Sequence, residues 1–303
     1  MSATMNSAPA PEASAAATAP PSRAGASAYR LAWGRMLRHR LGCTGLVVCL
    51  LVVLMALLAP VLAPHDPSEI FYDAILSPPS WNFPLGTDDL GRDILSRLLY
   101  GAQASLQVTF LSIAGAILIG SALGTLSGYA GGWVDNLIMR IVDGMLAFPM
   151  LVLALGIVSV LGPSLTNAMI AITIVNIPSF ARLVRAQVLT VRELDFVTAA
   201  RALGAGDIRI MLHHVWPSVV GNVIVYASLR ASAALITESS LAFLGLGAQP
   251  PTPSWGQMLS TAMQYWDAWW MSVFPGVAIF VTVLALNFIG DGLRDALDSR
   301  LSA

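Results

Sequence analysis

An all-α integral membrane protein with six transmembrane helices is the fold this sequence predicts, and three observations predict it. Hydrophobic types make up 56% of the 303 residues. Charged types make up 11%, against roughly 25% in an average soluble domain, and so few charges do not cover a soluble surface. The charges are also clustered, leaving gaps long enough for the roughly 20 apolar helical residues that cross a bilayer.

All 16 basic residues are arginine. Without lysine the chain has no GxxxxGK[ST] phosphate loop and no Schiff-base or lysine-base chemistry. An arginine-biased genome explains the missing lysine more simply than functional avoidance does. A net charge of −1 provides no basic footprint for nucleic acid. On one helix Cys43 and Cys49 stand about 9 Å apart along the axis, too far for a disulfide. They read as small apolar residues.

Residues 1–28 are an Ala/Pro/Ser tract without apolar periodicity, expected to form a disordered cytoplasmic tail. Residues 29–64 hold a flank with Arg30, Arg35, Arg38 and Arg40, then the first span in the charge-free stretch 41–64. Val61 and Ala63 suit a signal-peptide cleavage site, but the apolar run is longer than a signal's, so an uncleaved span is expected. Residues 65–104 form an outer loop with a short helix. Residues 105–290 hold five further spans. The second lies in 98–134, the third and fourth in 144–181 with Gly162-Pro163 as their turn, the fifth in 217–244 and the sixth in 268–290. Residues 291–303 are a second cytoplasmic tail. Six spans put both termini on one side. Twelve arginines flank spans on that side and only Arg92 and Arg97 on the other, which makes the arginine-rich side cytoplasmic.

The outer loop, 65–97, carries six carboxylates against two arginines. Gly86 permits a turn, and Thr87 or Asp88 is placed to cap a helix that runs to about Tyr100 and stops at Gly101. The plainer reading is a capped helix on the membrane surface. The functional one is a docking surface for an outside partner, made by Thr87, Asp88, Asp89, Arg92 and Asp93. No His or Cys stands near these acids, and acids suit a helix's first turn, so metal is discounted.

The loop 191–217 reads as two amphipathic helices. Phe196, Ala200 and Leu203 recur at helical spacing, Gly204 and Gly206 end the first helix, and Asp207 caps a second through Ile208, Ile210 and Met211 before Pro217 opens the fifth span. Small residues at Ala199, Ala200 and Gly204 leave room for another backbone. Such a pair either rests on headgroups or inserts into a groove on a cytosolic partner.

Here a family resemblance appears. Ala199-Ala200, Gly204 and Pro217 resemble the coupling-loop signature of permeases in binding-protein-dependent ABC importers, with Thr198 where that signature has glutamate, His214 for isoleucine and Trp216 for leucine. Leu85 to Asp93 with Ser96-Arg97, Leu241 to Gly247, Gln249 to Gly256 and Gly290 to Asp298 are similar to the C-type dipeptide, oligopeptide and nickel permeases, the dipeptide branch nearest. The resemblance implies a type I ABC importer permease fold in a bacterial inner membrane. It implies a second homologous permease subunit, two cytosolic ATPase subunits holding ATP and Mg, and a periplasmic or lipoprotein substrate-binding protein. The chain itself would be no enzyme and would bind no cofactor. It would carry dipeptides or short peptides, with nickel or glutathione as the alternative cargo. An ATPase-coupling role then falls on Glu193, Thr198, Ala199, Ala200, Arg201, Gly204, Asp207 and Pro217.

Arg230 and Glu238 interrupt the fifth span, where ionisable groups are costly and face a cavity or a partner. Eight residues separate them, so they do not pair directly. Each has two readings: pathway contact, or snorkelling for Arg230 and a neighbouring-helix partner for Glu238. Trp266, Trp269 and Trp270 read as an interfacial belt, and adjacent His213 and His214 as interface residues rather than metal ligands. An ion-coupled carrier would want internal repeats and paired broken helices, and a membrane enzyme would want acid and histidine clusters within spans. Neither pattern is present.

Overall fold

Apolar residues fill the faces of long helices, and in the computed structural model, which describes residues 34, 36 and 39–297, those helices account for nearly all regular structure. The expected tail 1–28, Arg30, Arg35, Arg38 and the end of the C-terminal tail lie outside the described residues. In chain order the helices are α1 (Arg40–Leu57), α2 (Ala59–Leu62), α3 (Ile94–Ala130), α4 (Gly132–Leu146), α5 (Met150–Leu161), α6 (Leu165–Val191), α7 (Asp195–Ala202), α8 (Asp207–Ile210), α9 (Trp216–Phe243), α10 (Trp255–Ala262) and α11 (Trp270–Leu297). A 3₁₀ turn spans Tyr72–Ala74 and a π-turn, Met211–Val215, joins α8 to α9. Among the described residues no strand forms.

Five helical stretches are long and apolar enough to cross a membrane: α1, α3, α6, the run Asp207–Phe243 and α11. A sixth arises if α4 and α5 count together, and they are bent by 93°. The bend has a local cause. Pro149 caps α5 and excludes the helical conformation from the residue before it, so α4 ends at Leu146. The 144–181 stretch does turn at Gly162-Pro163 as expected, but its two parts are unequal. Its first part is the 12-residue α5, about 18 Å long, and its second is the 27-residue α6.

Other expectations are corrected in detail. The short surface helix ending at Gly101 does not exist as a separate element. Asp93, not Thr87 or Asp88, caps the helix by accepting from Ser96 N at 3.0 Å, and α3 runs unbroken for 37 residues. Gly101 serves packing instead: a Cβ there would lie 3.2 Å from Trp255 Cδ1. The expected boundary at 104/105 thus falls inside α3, and that at 290/291 inside α11.

The centre of the bundle is α3 against α6. Gly120, Gly124 and Gly128 recur every four residues along α3, and Cβ atoms there would sit 2.5–3.0 Å from Phe180, Ala181, Val184, Val188 and backbone beside them. Small residues at this spacing let two membrane helices approach backbone to backbone. Phe180, Val184 and Val188 are fully buried in that contact. On the other side α1 lies along α11 with Gly42 against Gly292.

The tryptophans divide. Trp266 is 80% exposed and Trp269 54%, as a belt requires, but Trp270 is 7% exposed and donates from Nε1 to Thr87 O at 3.0 Å. It fastens the 65–93 loop to α11 and is not part of a belt. Trp255 is buried likewise, donating to Leu98 O at 3.0 Å.

Candidate functional site

Three polar constellations stand out on this frame. The first is the loop between α6 and α9. Val197 is fully buried and Ala200 packs on the core, so α7 turns that face inward. Of the face read from the sequence, Ala200 packs inward while Phe196 is 44% exposed and Leu203 88%, with Ile208 and Leu212 also outward. Four large apolar side chains are therefore presented together with exposed Thr198, Ala199 and Arg201. Gly204 stops α7 with φ +84°. Its N–H donates to Arg201 O and the Ala205 N–H to Ala200 O, which together make a Schellman cap.

Asp207 does not cap α8. Gly206 occupies that position, and the Asp207 carboxylate accepts from Tyr129 Oη at 2.7 Å. The same phenol accepts from Arg201 Nη2 at 3.4 Å, and that guanidinium lies 6.0 Å from the Tyr129 ring centroid. Nor is α8 a separate helix, since it continues through the π-turn into α9, with Pro217 in the first turn of α9. Around Tyr129 the end of α3 is pinned further. Arg192 donates to Gly128 O at 2.7 Å and to Glu193 Oε1 at 2.9 Å. Ser127 donates to Asp135, which Arg185 holds with two bonds of 2.5 and 2.6 Å. Arg182 and Arg185, expected in a loop, belong to the last turns of α6.

The second constellation is the 65–93 loop. Thr87, Asp88 and Asp93 are 0%, 5% and 0% exposed. Thr87 pairs with Asp93 in a β-bridge, donates to Ala74 O and accepts from Ser77 N at 2.8 Å. Asp88 accepts from Leu90 N, Arg92 N and Arg92 Nε at 3.0, 2.9 and 2.7 Å, with Arg97 Nε at 3.4 Å. Arg97 is buried and donates to Pro67 O at 3.0 Å. The expectation that these five residues present a docking surface is corrected for three of them. Thr87 and Asp88 are bonded inside the loop, Asp93 is buried with Oδ2 bonded to Ser96 and Oδ1 unpartnered, and of the five only Asp89 and Arg92 keep partial exposure. Burial, with the Asp88 carboxylate beside it, pushes the Asp89 carboxyl above its ordinary value. Asp88→Ala leaves two guanidiniums short of their counter-charge. It is expected to cost about 3–5 kcal/mol, read as a lowered unfolding temperature of the purified protein.

The third lies within the bundle. Arg230 does not snorkel. Its Nε and Nη2 both donate to Asn176 Oδ1 on α6, at 3.1 and 2.7 Å, and it lies 5.9 Å from the Tyr226 ring centroid. Glu238 is 1% exposed, hydrogen-bonded to Ser105 on α3 and to Ser239, with Oε1 unpartnered. Ser105 on α3 is thus a neighbouring-helix partner for Glu238. Arg230 and Glu238 do not meet.

Tyr129 and Asn176 were missed by sequence reasoning. An amide in the middle of an apolar run was a signal for Asn176, whereas Tyr129 gave none beyond its place before Gly131-Gly132.

Residues 116–303 match the family model described as binding-protein-dependent transport system inner membrane component, and residues 27–79 match the N-terminal TM domain of oligopeptide transport permease C. The chain is 48% identical over 276 residues to the di/tripeptide transport system permease protein of Pseudomonas aeruginosa strain UCBPP-PA14, covering 89% of this chain and 91% of that protein. It is 49% identical to the dipeptide transport system permease protein of Escherichia coli K12, over 89% of this chain and 92% of that one. It is 43% identical to the glutathione transport system permease protein of Pectobacterium atrosepticum, over 91% and 92%. Its fold is similar to that of a chain in the inward-facing MetNI methionine ABC transporter, with a TM-score of 0.56 at 19% identity, over 66% of this chain and 96% of that one.

Proposed function

The chain belongs to the family of binding-protein-dependent transport system inner membrane components, and from that premise we propose that it is one of two permease subunits of an ATP-driven importer of dipeptides or short peptides in a bacterial inner membrane. Both termini lie in the cytoplasm in this reading, α4–α5 counts as one broken span, and a soluble or lipid-anchored binding protein delivers the cargo from outside. Cytosolic ATPases hold the ATP and Mg, and this chain performs no covalent chemistry. Its work is to bind, tilt and release.

One observation carries the reading. The loop between α6 and α9 presents Phe196, Leu203, Ile208 and Leu212 outward while Tyr129 ties its underside to α3. An exposed apolar face on a rigidly held short helix is the geometry of a helix that docks in a partner's groove. Thr198, Ala199, Ala200 and Gly204 allow close approach, and Glu193, Arg201 and Asp207 supply polar contacts or hold the loop's shape. Closing ATPases then push α7 as a lever, and the bundle switches between inward- and outward-facing states.

The test is purification of the chain with its neighbouring-gene subunits, followed by ATPase assays with dipeptides, longer peptides, glutathione and nickel. Stimulation by dipeptides together with their import supports the reading. Stimulation by glutathione alone favours the second cargo, which the 43% identical glutathione permease suggests. Failure of the chain to associate with any ATPase overturns the assignment. Tyr129→Phe removes one hydrogen bond to a carboxylate and keeps the ring. The contact is solvent-exposed, where such charged contacts contribute about 0–1 kcal/mol, so import per ATP is expected to fall by no more than about fivefold while ATP hydrolysis persists, as measured in proteoliposomes.

A further inference from the structure

Arg230 stands midway along α9, within an apolar stretch long enough to cross a membrane, where a fixed positive charge is costly unless matched. Guanidinium does not shed its charge in proteins, so the charge must be matched there. No carboxylate lies within ion-pair distance of it among the described residues. Its acceptor is the neutral Asn176 Oδ1.

The geometry of that contact is specific. Asn176 is fully buried, and its Nδ2 donates to Ile172 O at 2.7 Å, which aims Oδ1 at the arginine. Oδ1 takes the Nε–H and one Nη2–H, one edge of the guanidinium fork. Tyr226 flanks the group at 5.9 Å and is itself braced by Phe180 at 5.3 Å between centroids. Nη2 also lies 3.7 Å from Met150 Sδ, Nη1 makes no hydrogen bond among the described residues, and the residue stays partly exposed. A held fork with one edge open is the arrangement that receives a carboxylate with two parallel hydrogen bonds.

We propose that Arg230, oriented by Asn176, is a transient subsite for the carboxylate of the transported substrate. This rests on the permease reading above and adds to it which group of the cargo this chain touches. Asn176 is a positioning residue. Because its acceptor is neutral, it orients the arginine without neutralising it, so the charge remains available to the passing substrate.

The test uses the complete transporter in proteoliposomes, with Ala-Ala and its C-terminal amide as probes, each at concentrations that saturate the binding protein. The binding protein's own preference is common to all complexes and cancels when variant and wild type are compared. Arg230→Gln is expected to slow Ala-Ala uptake about tenfold, the loss of one charge-assisted contact, and to change amide uptake less than about twofold. Asn176→Asp keeps the arginine but gives it an internal carboxylate. It is expected to collapse the acid-over-amide preference in the same way, and it decides the matter if Arg230→Gln does not assemble. An unchanged preference, or an equal loss for both probes, overturns the subsite. If the wild-type complex imports neither probe, the peptide-permease reading itself falls.

Discussion

Gly204→Val is expected to abolish ATP-driven uptake while leaving the chain inserted and folded. Nothing lies within 4 Å of a Cβ built at Gly204, so the substitution creates no clash within the chain. Its effect is on conformation and on the surface. At φ +84° a β-branched residue is strained by about 1–2 kcal/mol. The loop relieves that strain by abandoning the Schellman cap, which reorients Leu203 and Ile208 on either side. It also adds bulk where the proposed partner's backbone comes close. Gly204→Ala meets the same φ with less bulk and is expected to retain part of the uptake. The measurement is peptide uptake and ATPase co-purification on matched amounts of membrane-inserted protein. Wild-type uptake in the valine variant would remove the loop from the coupling path.

Gly124→Leu is expected to prevent folding outright. A Cβ there would lie 2.5 Å from Ala181 O, 2.9 Å from Val184 Cβ and 3.0 Å from Arg185 N. Two of those three atoms are backbone, which cannot rotate aside. Overfilling a packed core costs about 1–3 kcal/mol, and prising α3 from α6 also empties the contact around Phe180, Val184 and Val188. The check is the yield of monodisperse protein after detergent extraction. Gly144→Leu is the control, because a Cβ at Gly144 meets nothing within 4 Å, and its yield is expected to match wild type.

How far the molecule is legible from its sequence depends on the range of the force responsible. The helices at 41–64, 98–134 and 268–290 are read from gaps between charges, and that at 217–244 from its apolar content despite Arg230 and Glu238, because expelling charge from hydrocarbon is a residue-by-residue requirement. Local stop signals misled where packing overrode them. Gly101 follows an apparent helix end, yet Trp255 fills the space beside it and the helix continues. Asp207 has the residue type of a cap, but a phenol 78 positions earlier in the chain claims its carboxylate. The face of α7 with Phe196 and Leu203 was legible from its spacing, but the burial of Val197 was not, because a helical pattern this short does not say which side the bundle covers. Thr87 was legible as part of a motif but not as buried, since its partners are backbone groups of Ala74 and Ser77 that carry no side-chain signal; Asp88 and Asp93 are held mainly by Arg92, Arg97 and Ser96 of the same motif. Family resemblance pointed to 191–217 as the proposed coupling loop, whereas the contacts that brace it from beneath, Tyr129 to Asp207 and Arg192 to Gly128, came only with the fold.

α3 runs unbroken from its Asp93 cap to Ala130, and 37 helical residues make a rod of about 55 Å. One end is knotted into the Asp88–Arg97 loop and the other is pinned through Ser127, Gly128 and Tyr129. Thermodynamic linkage then imposes symmetry. If a partner at the outer end binds one tilt of this rod more tightly than another, the affinity of a partner at the inner end changes by the same factor, and the converse holds equally. In the proposed importer, a loaded binding protein at one end and nucleotide-bound ATPases at the other would each sense the other's concentration through a single helix, without ever sharing a contact.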